Sequence, residues 1–178
     1  MALQEAESAC LTYFYCDFRD EDKQSCHNLI LSILSQLAAH SSSYCDVLSR
    51  LYSTHDYGRR KPSNGDLTQC PKKTLSVPTQ GPIYLIIDAL DECPNHAGMP
   101  TSREEVLDLI QDLVDLQLPN AHISVTSRPE IDIQTALEPF TSPHISLHDK
   151  PRTSLTISIL SFIQTRRYRD GVRRTGVL

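Results

Sequence analysis

Three carboxylates stand close together near the middle of the chain, directly after a run of apolar residues. Asp88, Asp91 and Glu92 follow residues 83–87, which read Ile-Tyr-Leu-Ile-Ile. Carboxylate oxygens are ligands that Mg²⁺ prefers, and a carboxylate can also orient a water molecule for attack. The types and spacing of these residues therefore predict a site that holds a divalent cation. The alternative is that Asp88 only caps a following helix, because acids favour a helix's first turn.

The apolar run before Asp88 predicts the element that positions the carboxylates. Residues 83–87 are too few to cross a membrane, and the run is too unbroken for a strand with one face in water. We predict a strand of a parallel sheet that is covered on both faces. Ligands of open α/β sheets bind at the carboxyl ends of the strands, which is where Asp88 would lie.

A second segment ends in polar residues in the same way. Residues 122–126 are predicted to form a strand, and Ser127 and Arg128 follow it directly. If both strands belong to one parallel sheet, Arg128 would lie at the same edge as the carboxylates. The alternative for Arg128 is a surface ion pair with Glu130 or Asp132.

The order of the predicted elements favours an α/β fold. Strands alternate with helices, and such an order is typical of a parallel sheet with right-handed connections. We predict about four parallel strands flanked by helices. The strands fall within 9–18, 83–87, 122–126 and 144–147, and the helices at 23–39, 44–52, 103–116 and 130–137, with a capping box at Ser102 and Glu105. Residues 55–80 are predicted to be mainly loop, with a helical turn around Asp66 to Lys73.

Three blocks of the chain resemble one family in the same order. Residues 83–93, which end in Asp-Ala-Leu-Asp-Glu-Cys, resemble the Walker B segment of the NACHT class of P-loop NTPases, which belongs to the STAND signalling ATPases. The form is close to that of fungal NACHT proteins with a nephrocystin 3-like N-terminal domain. Residues 11–37 resemble the second strand and following helix of that domain, and residues 122–133 resemble its sensor 1 strand. We therefore assign residues 1–149 to a partial NTPase domain of this type.

The resemblance implies a role for each polar residue. Asp88 would bind the Mg²⁺ that bridges the phosphates of ATP or GTP, and Asp91 and Glu92 would orient the attacking water. Ser127 and Arg128 would sense the γ-phosphate. Intact members of the family are expected to act as nucleotide-dependent switches that hydrolyse slowly and oligomerise.

The chain departs from the family in one decisive motif. Phosphate binding in this class uses Gly-x-x-x-x-Gly-Lys-Ser/Thr, and none of the six glycines begins a Gly-Lys-Ser/Thr sequence. We therefore expect a partial P-loop NTPase fold that lacks the Walker A loop and its strand, and that alone binds nucleotide weakly or not at all. Loss of that strand would leave the strand at 122–126 unpaired unless residues 144–147 move beside it. The alternative is a non-enzymatic remnant or protein-interaction module of the same fold.

The last part of the chain differs from the rest in charge. Residues 150–178 contain seven Lys or Arg and one Asp, a charge of +6, whereas the remainder carries −11. Where the family continues with an acidic helix, residues 153–157 read Thr-Ser-Leu-Thr-Ile. We interpret 150–178 as a basic tail that is poorly ordered or read in a shifted frame. A basic-tailed nucleic-acid binder is the third hypothesis, less favoured because few aromatic residues are interleaved with the arginines.

Composition limits the remaining classes. The 178 residues suffice for one domain, and the net charge of −5 gives no overall attraction to nucleic acid or an anionic membrane. No apolar stretch is long enough to cross a bilayer, and the first residues lack the features of a secretory signal. Six cysteines without a Cys-x-x-Cys pair fit reduced thiols. We therefore expect a cytoplasmic protein with no membrane partner.

Overall fold

The computed structural model describes residues 9–77, 81–95, 100–140, 144–148 and 154–161. The strands are β1 (Cys10–Tyr15), β2 (Ile83–Asp88), β3 (Ala121–Ser127), β4 (His144–His148) and β5 (Ser154–Ser161). The helices are α1 (Cys26–His40), α2 (Ser42–Thr54), α3 (Asn64–Leu75), α4 (Ser102–Asp115) and α5 (Ile131–Leu137). Short 3₁₀ turns span Glu21–Lys23, Leu90–Glu92 and Glu138–Phe140.

The five strands form one sheet in the order β1-β2-β3-β5-β4. β1, β2 and β3 are parallel, whereas β5 runs antiparallel to β3 and β4 antiparallel to β5. The predicted α/β class is confirmed, with three parallel strands in place of about four. The strand predicted at 144–147 exists, but only five residues separate it from β5. A parallel neighbour needs a crossover of about a dozen residues or more, so this pair is antiparallel.

β5 lies beside β3, at the position that we expected to be unpaired unless residues 144–147 filled it. It pairs with β3 from His122↔Ser161 to Ser127↔Thr156, and β4 lies outside it. Residues 154–161 belong to the segment interpreted as a basic tail, and the arginines at 166–174 lie outside the described residues. The shifted-frame hypothesis and the nucleic-acid hypothesis stay predictions.

The described helices leave one face of the parallel strands open to solvent. Ile83, Leu85 and Ile87 of β2 are buried, whereas Tyr84 between them is 43% exposed. On β1 the outward-facing residues Leu11, Tyr13 and Tyr15 are also exposed. The prediction that β2 is covered on both faces is therefore wrong for the described residues. α1 packs against β1 on the buried face, and α3 and α4 pack against α1.

α3 is a full helix of 12 residues where we predicted only a helical turn, around Asp66 to Lys73, within a loop region. Its buried positions Leu67, Cys70, Thr74 and Leu75 recur at helical spacing. Pro71 within the helix hides this pattern in the sequence, because proline removes a helical hydrogen bond and normally ends a helix.

Capping boxes begin both α3 and α4. At α3, Ser63 Oγ accepts from the Asp66 amide at 3.2 Å, and the Asp66 carboxylate accepts from the Ser63 amide at 3.1 Å. At α4 the box consists of Thr101 and Glu104, one residue before the predicted pair. Both boxes satisfy backbone amides that have no partner inside the helix.

The α3 cap predicts an acid-sensitive contribution to stability. Hydrogen bonds from Ser63 and then His55 lower the pKa of the Asp66 carboxyl. A lowered folded-state pKa gives stability that is complete above the unfolded value of about 3.9 and is lost as the pH falls through the folded pKa. We expect the urea midpoint, followed by circular dichroism, to fall on acidification from about pH 5 to about pH 2. The fall should be shallower in Asp66→Asn than in the control Asp46→Asn, a substitution at an exposed position of α2. Equal slopes in the two variants would contradict this assignment.

No helix among the described residues combines the length and the apolar character needed to cross a membrane.

Candidate functional site

The carboxyl ends of β2 and β3 meet through Asp88 and Thr126. The parallel register pairs Ile87 with Val125, so the two strands end at the same level. The Thr126 hydroxyl donates a hydrogen bond to Asp88 Oδ1 and accepts one from the Ala89 amide at 2.9 Å. Thr126 therefore fixes the Asp88 carboxylate at the sheet edge. In the sequence, the residue that makes this contact is visible as a threonine two residues before Arg128.

The chain turns sharply after Asp88. Ala89 has φ 56° and ψ 47°, a left-handed conformation that non-glycine residues seldom adopt. The 3₁₀ turn Leu90–Glu92 follows, with Leu90 fully buried beneath it. Buried Leu90 anchors the turn, and its neighbours Asp91 and Glu92 border the cavity described below.

Asp91 joins the β2 turn to the end of β3. Its Oδ1 accepts a hydrogen bond from the Arg128 amide at 2.9 Å, and its Oδ2 lies 3.4 Å from Arg128 Nε. The Asp91 side chain is 9% exposed, whereas that of Arg128 is 69% exposed. Arg128 thus pairs with Asp91, and the ion pair considered with Glu130 or Asp132 is not the one observed. Asp91 holds the base of Arg128 while the guanidinium faces solvent.

Glu92 connects the same turn to the segment that follows β1. Its Oε2 accepts a hydrogen bond from the Phe18 amide at 3.1 Å. Beside it, hydrogen bonds from Arg19 lower the pKa of the Asp17 carboxyl. Backbone and side-chain hydrogen bonds therefore hold the segment that follows β1 next to the site.

Arg103 is a buried organiser of the site that the sequence analysis did not single out. Its guanidinium donates to the Asp91 carbonyl at 2.5 Å and to the Cys93 carbonyl at 3.1 Å. It also forms an ion pair with Asp132 at 3.1 Å. Arg103 lies in the first turn of α4, and sequence patterns alone do not distinguish such an arginine from a solvated one.

A cavity of about 580 Å³ opens between these elements. Phe18, Asp91, Glu92, Cys93, Arg103 and Arg128 are among its lining residues. Of the five residues predicted for the site, Asp91, Glu92 and Arg128 therefore meet at one surface. Asp88 lies one turn away against Thr126. Ser127 is 5% exposed and turned to the core, because successive strand residues point to opposite faces.

The family model described as Nephrocystin 3, N-terminal, matches residues 2–128 of the 178. The chain belongs to the nephrocystin 3 N-terminal family. The match runs from before β1 to Arg128 and so includes every residue of the candidate site. Searches of curated proteins and of solved structures gave no match.

A cation at the site of this nephrocystin 3 N-terminal chain would have few protein ligands. Among the described residues, no group of three His, Cys, Asp or Glu side chains is placed to hold a metal ion. Mg²⁺ is commonly held by one or two carboxylates, with phosphate oxygens and water completing its octahedron. Asp88, fixed by Thr126 at the sheet edge, suits the part of a single carboxylate ligand.

Two buried thiols lie next to the 3₁₀ turn Leu90–Glu92, called the acidic turn below. The Sγ atoms of Cys16 and Cys93 are 3.3 Å apart, and both residues are almost fully buried. The hydrogen bond between them lowers the pKa of Cys93, and the nearby Arg103 charge adds to this effect against burial. The same hydrogen bond and burial raise the pKa of Cys16. The pair joins the end of β1 to the end of the 3₁₀ turn.

Proposed function

We propose that this chain is part of a NACHT-type signalling NTPase and carries its Walker B and sensor 1 segments. The observation that carries the proposal is the contact between Asp91 and Arg128. It joins two segments at the carboxyl ends of adjacent parallel strands, beside a cavity large enough for a small ligand. Ligands of α/β sheets bind at this edge, and a carboxylate with an arginine is suited to phosphoryl chemistry.

Each residue of the site has a distinct role in this proposal. Asp88 would hold Mg²⁺, and the Thr126 hydroxyl keeps the Asp88 carboxylate oriented. Bound Mg²⁺ supplies positive charge that offsets the charge of phosphate oxygens. Asp91 positions Arg128, whose exposed guanidinium would contact the γ-phosphate of a bound nucleotide. The Glu92 carboxylate, anchored by the Phe18 amide through one oxygen, orients a water with the other.

The residues present fit the cation better than they fit the nucleotide. A nucleotide's phosphates need a cradle of backbone amides with a lysine and a hydroxyl, and the sequence has no Gly-x-x-x-x-Gly-Lys-Ser/Thr. We therefore propose that ATP or GTP binds only when this loop is supplied from outside these 178 residues. In that setting the domain acts as a cytoplasmic switch whose nucleotide state controls self-association.

A second candidate is a non-enzymatic interaction module of the same fold. Two observations favour it: the phosphate-loop motif is absent from the sequence, and Asp91 and Glu92 both accept hydrogen bonds from backbone amides. Such contacts would stabilise the fold without any nucleotide chemistry.

Nucleotide binding by two lengths of chain separates these candidates. Titration calorimetry with Mg²⁺-ATP and Mg²⁺-GTP is run on the 178-residue chain and on one extended upstream to include a phosphate loop. We expect weak or no binding to the first and magnesium-dependent binding to the second. In the extended chain, Asp88→Asn and Arg128→Ala should each weaken binding about tenfold or more, since loss of a charged contact costs upward of about 1.4 kcal/mol.

The matched control is Glu130→Gln, which removes a charge close to Arg128 in sequence without touching the Asp91 pair. Its affinity should stay within about twofold of the unchanged chain, as for most surface substitutions. The interaction module would be favoured if the upstream sequence had no phosphate loop. It would also be favoured if Asp88→Asn left the nucleotide affinity of the extended chain unchanged.

A further inference from the structure

The sulfur atoms of Cys16 and Cys93 are in direct contact. Their Sγ atoms are 3.3 Å apart, although 77 positions separate the residues in sequence. A disulfide bond is about 2.05 Å long, so the two sulfurs need to approach by only about 1.2 Å. Both follow the ends of regular elements, Cys16 after β1 and Cys93 after the 3₁₀ turn Leu90–Glu92. Such positions allow a small shift without breaking a strand.

Cys93 borders the large cavity, and Cys16 does not. Cys93 is among the residues that line the cavity of about 580 Å³, although at 1% exposed it is nearly as buried as Cys16 at 0%. Arg103 donates to the Cys93 carbonyl at 3.1 Å and keeps the backbone of Cys93 in place. An oxidant would reach the pair when the turn before Cys93 opens locally toward the cavity, and it would then meet Cys93 first, with Cys16 as the nearest second thiol.

We propose that Cys16 and Cys93 are a redox pair that forms a reversible intramolecular disulfide on exposure to a peroxide. The Cys93 sulfur, after losing its proton, attacks a peroxide oxygen, and the O–O bond breaks to give a sulfenic acid and hydroxide. The Cys16 sulfur then attacks the Cys93 sulfur and forms the S–S bond. The sulfenic oxygen leaves as water with the Cys16 proton, and the Cys93 proton neutralises the hydroxide. Two thiols are oxidised and one hydrogen peroxide is reduced to two waters.

The other cysteines lack such a neighbour. Among the described residues, which include all six cysteines, Cys16–Cys93 is the one contact between two cysteine sulfurs. Cys26 Sγ instead lies 3.5 Å from the Glu105 carbonyl, and Cys45 Sγ lies 3.1 Å from the Ala38 carbonyl. Cys45 is exposed, so it would react with peroxide without an intramolecular partner.

The disulfide would connect the segment that follows β1 to the end of the acidic turn. A disulfide that closes a long loop restricts the unfolded chain and so raises the melting temperature. For a chain of this size we expect a rise of about 5–10 °C over the reduced protein. This consequence concerns the fold and does not depend on nucleotide binding.

The test is a peroxide titration of the full chain, followed by alkylation, proteolysis without reductant and mass spectrometry. We expect a Cys16–Cys93 cross-linked peptide lacking two hydrogens, its loss on treatment with dithiothreitol, and the rise in melting temperature. A Cys45→Ser background excludes links between molecules. Cys70→Ser, a matched change at another buried cysteine, should keep the cross-link.

The single variants test the order of the steps. In Cys16→Ser, Cys93 should accumulate as a sulfenic acid that dimedone traps, whereas Cys93→Ser should leave Cys16 as a free thiol. Peroxide treatment of the unsubstituted chain that oxidises Cys45 while leaving Cys16 and Cys93 free would overturn the proposal. Cross-links that join other cysteines in place of this pair would overturn it equally.

Discussion

The Arg103→Ala variant is expected to lose about 3 kcal/mol of unfolding free energy, because removal of the guanidinium leaves several buried partners without hydrogen bonds. The guanidinium is the donor to the carbonyls of Asp91 and Cys93, and it pairs with the Asp132 carboxylate. When a buried acceptor loses its donor, the free energy of removing that acceptor from water is no longer offset by a hydrogen bond. Urea unfolding, followed by circular dichroism, measures the difference.

Two matched changes separate burial from charge. Arg128→Ala removes an arginine that is 69% exposed and should cost less than about 1 kcal/mol, as exposed ion pairs do. Arg103→Lys keeps the charge but lacks the planar fork, so most of the loss should remain. Equal losses for Arg103→Ala and Arg128→Ala would mean that Arg103 does not organise the site.

Ile87→Ala is expected to destabilise the protein by about 3 kcal/mol. Ile87 is fully buried on the covered face of β2, just before the strand delivers Asp88 to the site. Truncation of such a side chain loses its transfer free energy and leaves a cavity in a close-packed core. The free energy of unfolding in urea is again the measurement.

The control for this change lies on the other face of the same strand. Tyr84 is 43% exposed and stacks on His122 with ring centroids 5.0 Å apart. Because a cross-strand pair on an open face contributes little, Tyr84→Ala should cost about 1 kcal/mol or less. A loss for Tyr84→Ala as large as that for Ile87→Ala would indicate that this face is covered in solution.

Much of the site could be predicted because its signals are local. The apolar run at 83–87 predicted β2, and the polar residues after it predicted the sheet edge at which Asp91 and Glu92 lie. Arg128 was expected at this edge from the end of the next strand. Parallel strands place their carboxyl ends together, so this inference needed no knowledge of side-chain packing.

Other features escaped prediction because they depend on contacts between distant segments. Arg103 acts through carbonyls of the turn after β2, and its neighbours in sequence give no sign of this. The pairing of Cys16 with Cys93 likewise requires β1 and β2 to be adjacent. The full length of α3 was missed for a local reason, since Pro71 obscured a helix that its capping box begins and its buried face stabilises.

By itself, the sequence determined the α/β class and the two segments that bring Asp91, Glu92 and Arg128 to one sheet edge. Apolar periodicity and chain order carry that information, because both follow from backbone geometry. Only the tertiary structure decided which face of the sheet the described helices cover, which strand lies beside β3, and which side chains orient the carboxylates. The physical reason is that packing and hydrogen bonding between distant segments depend on the whole arrangement of the chain, which no single stretch of sequence encodes.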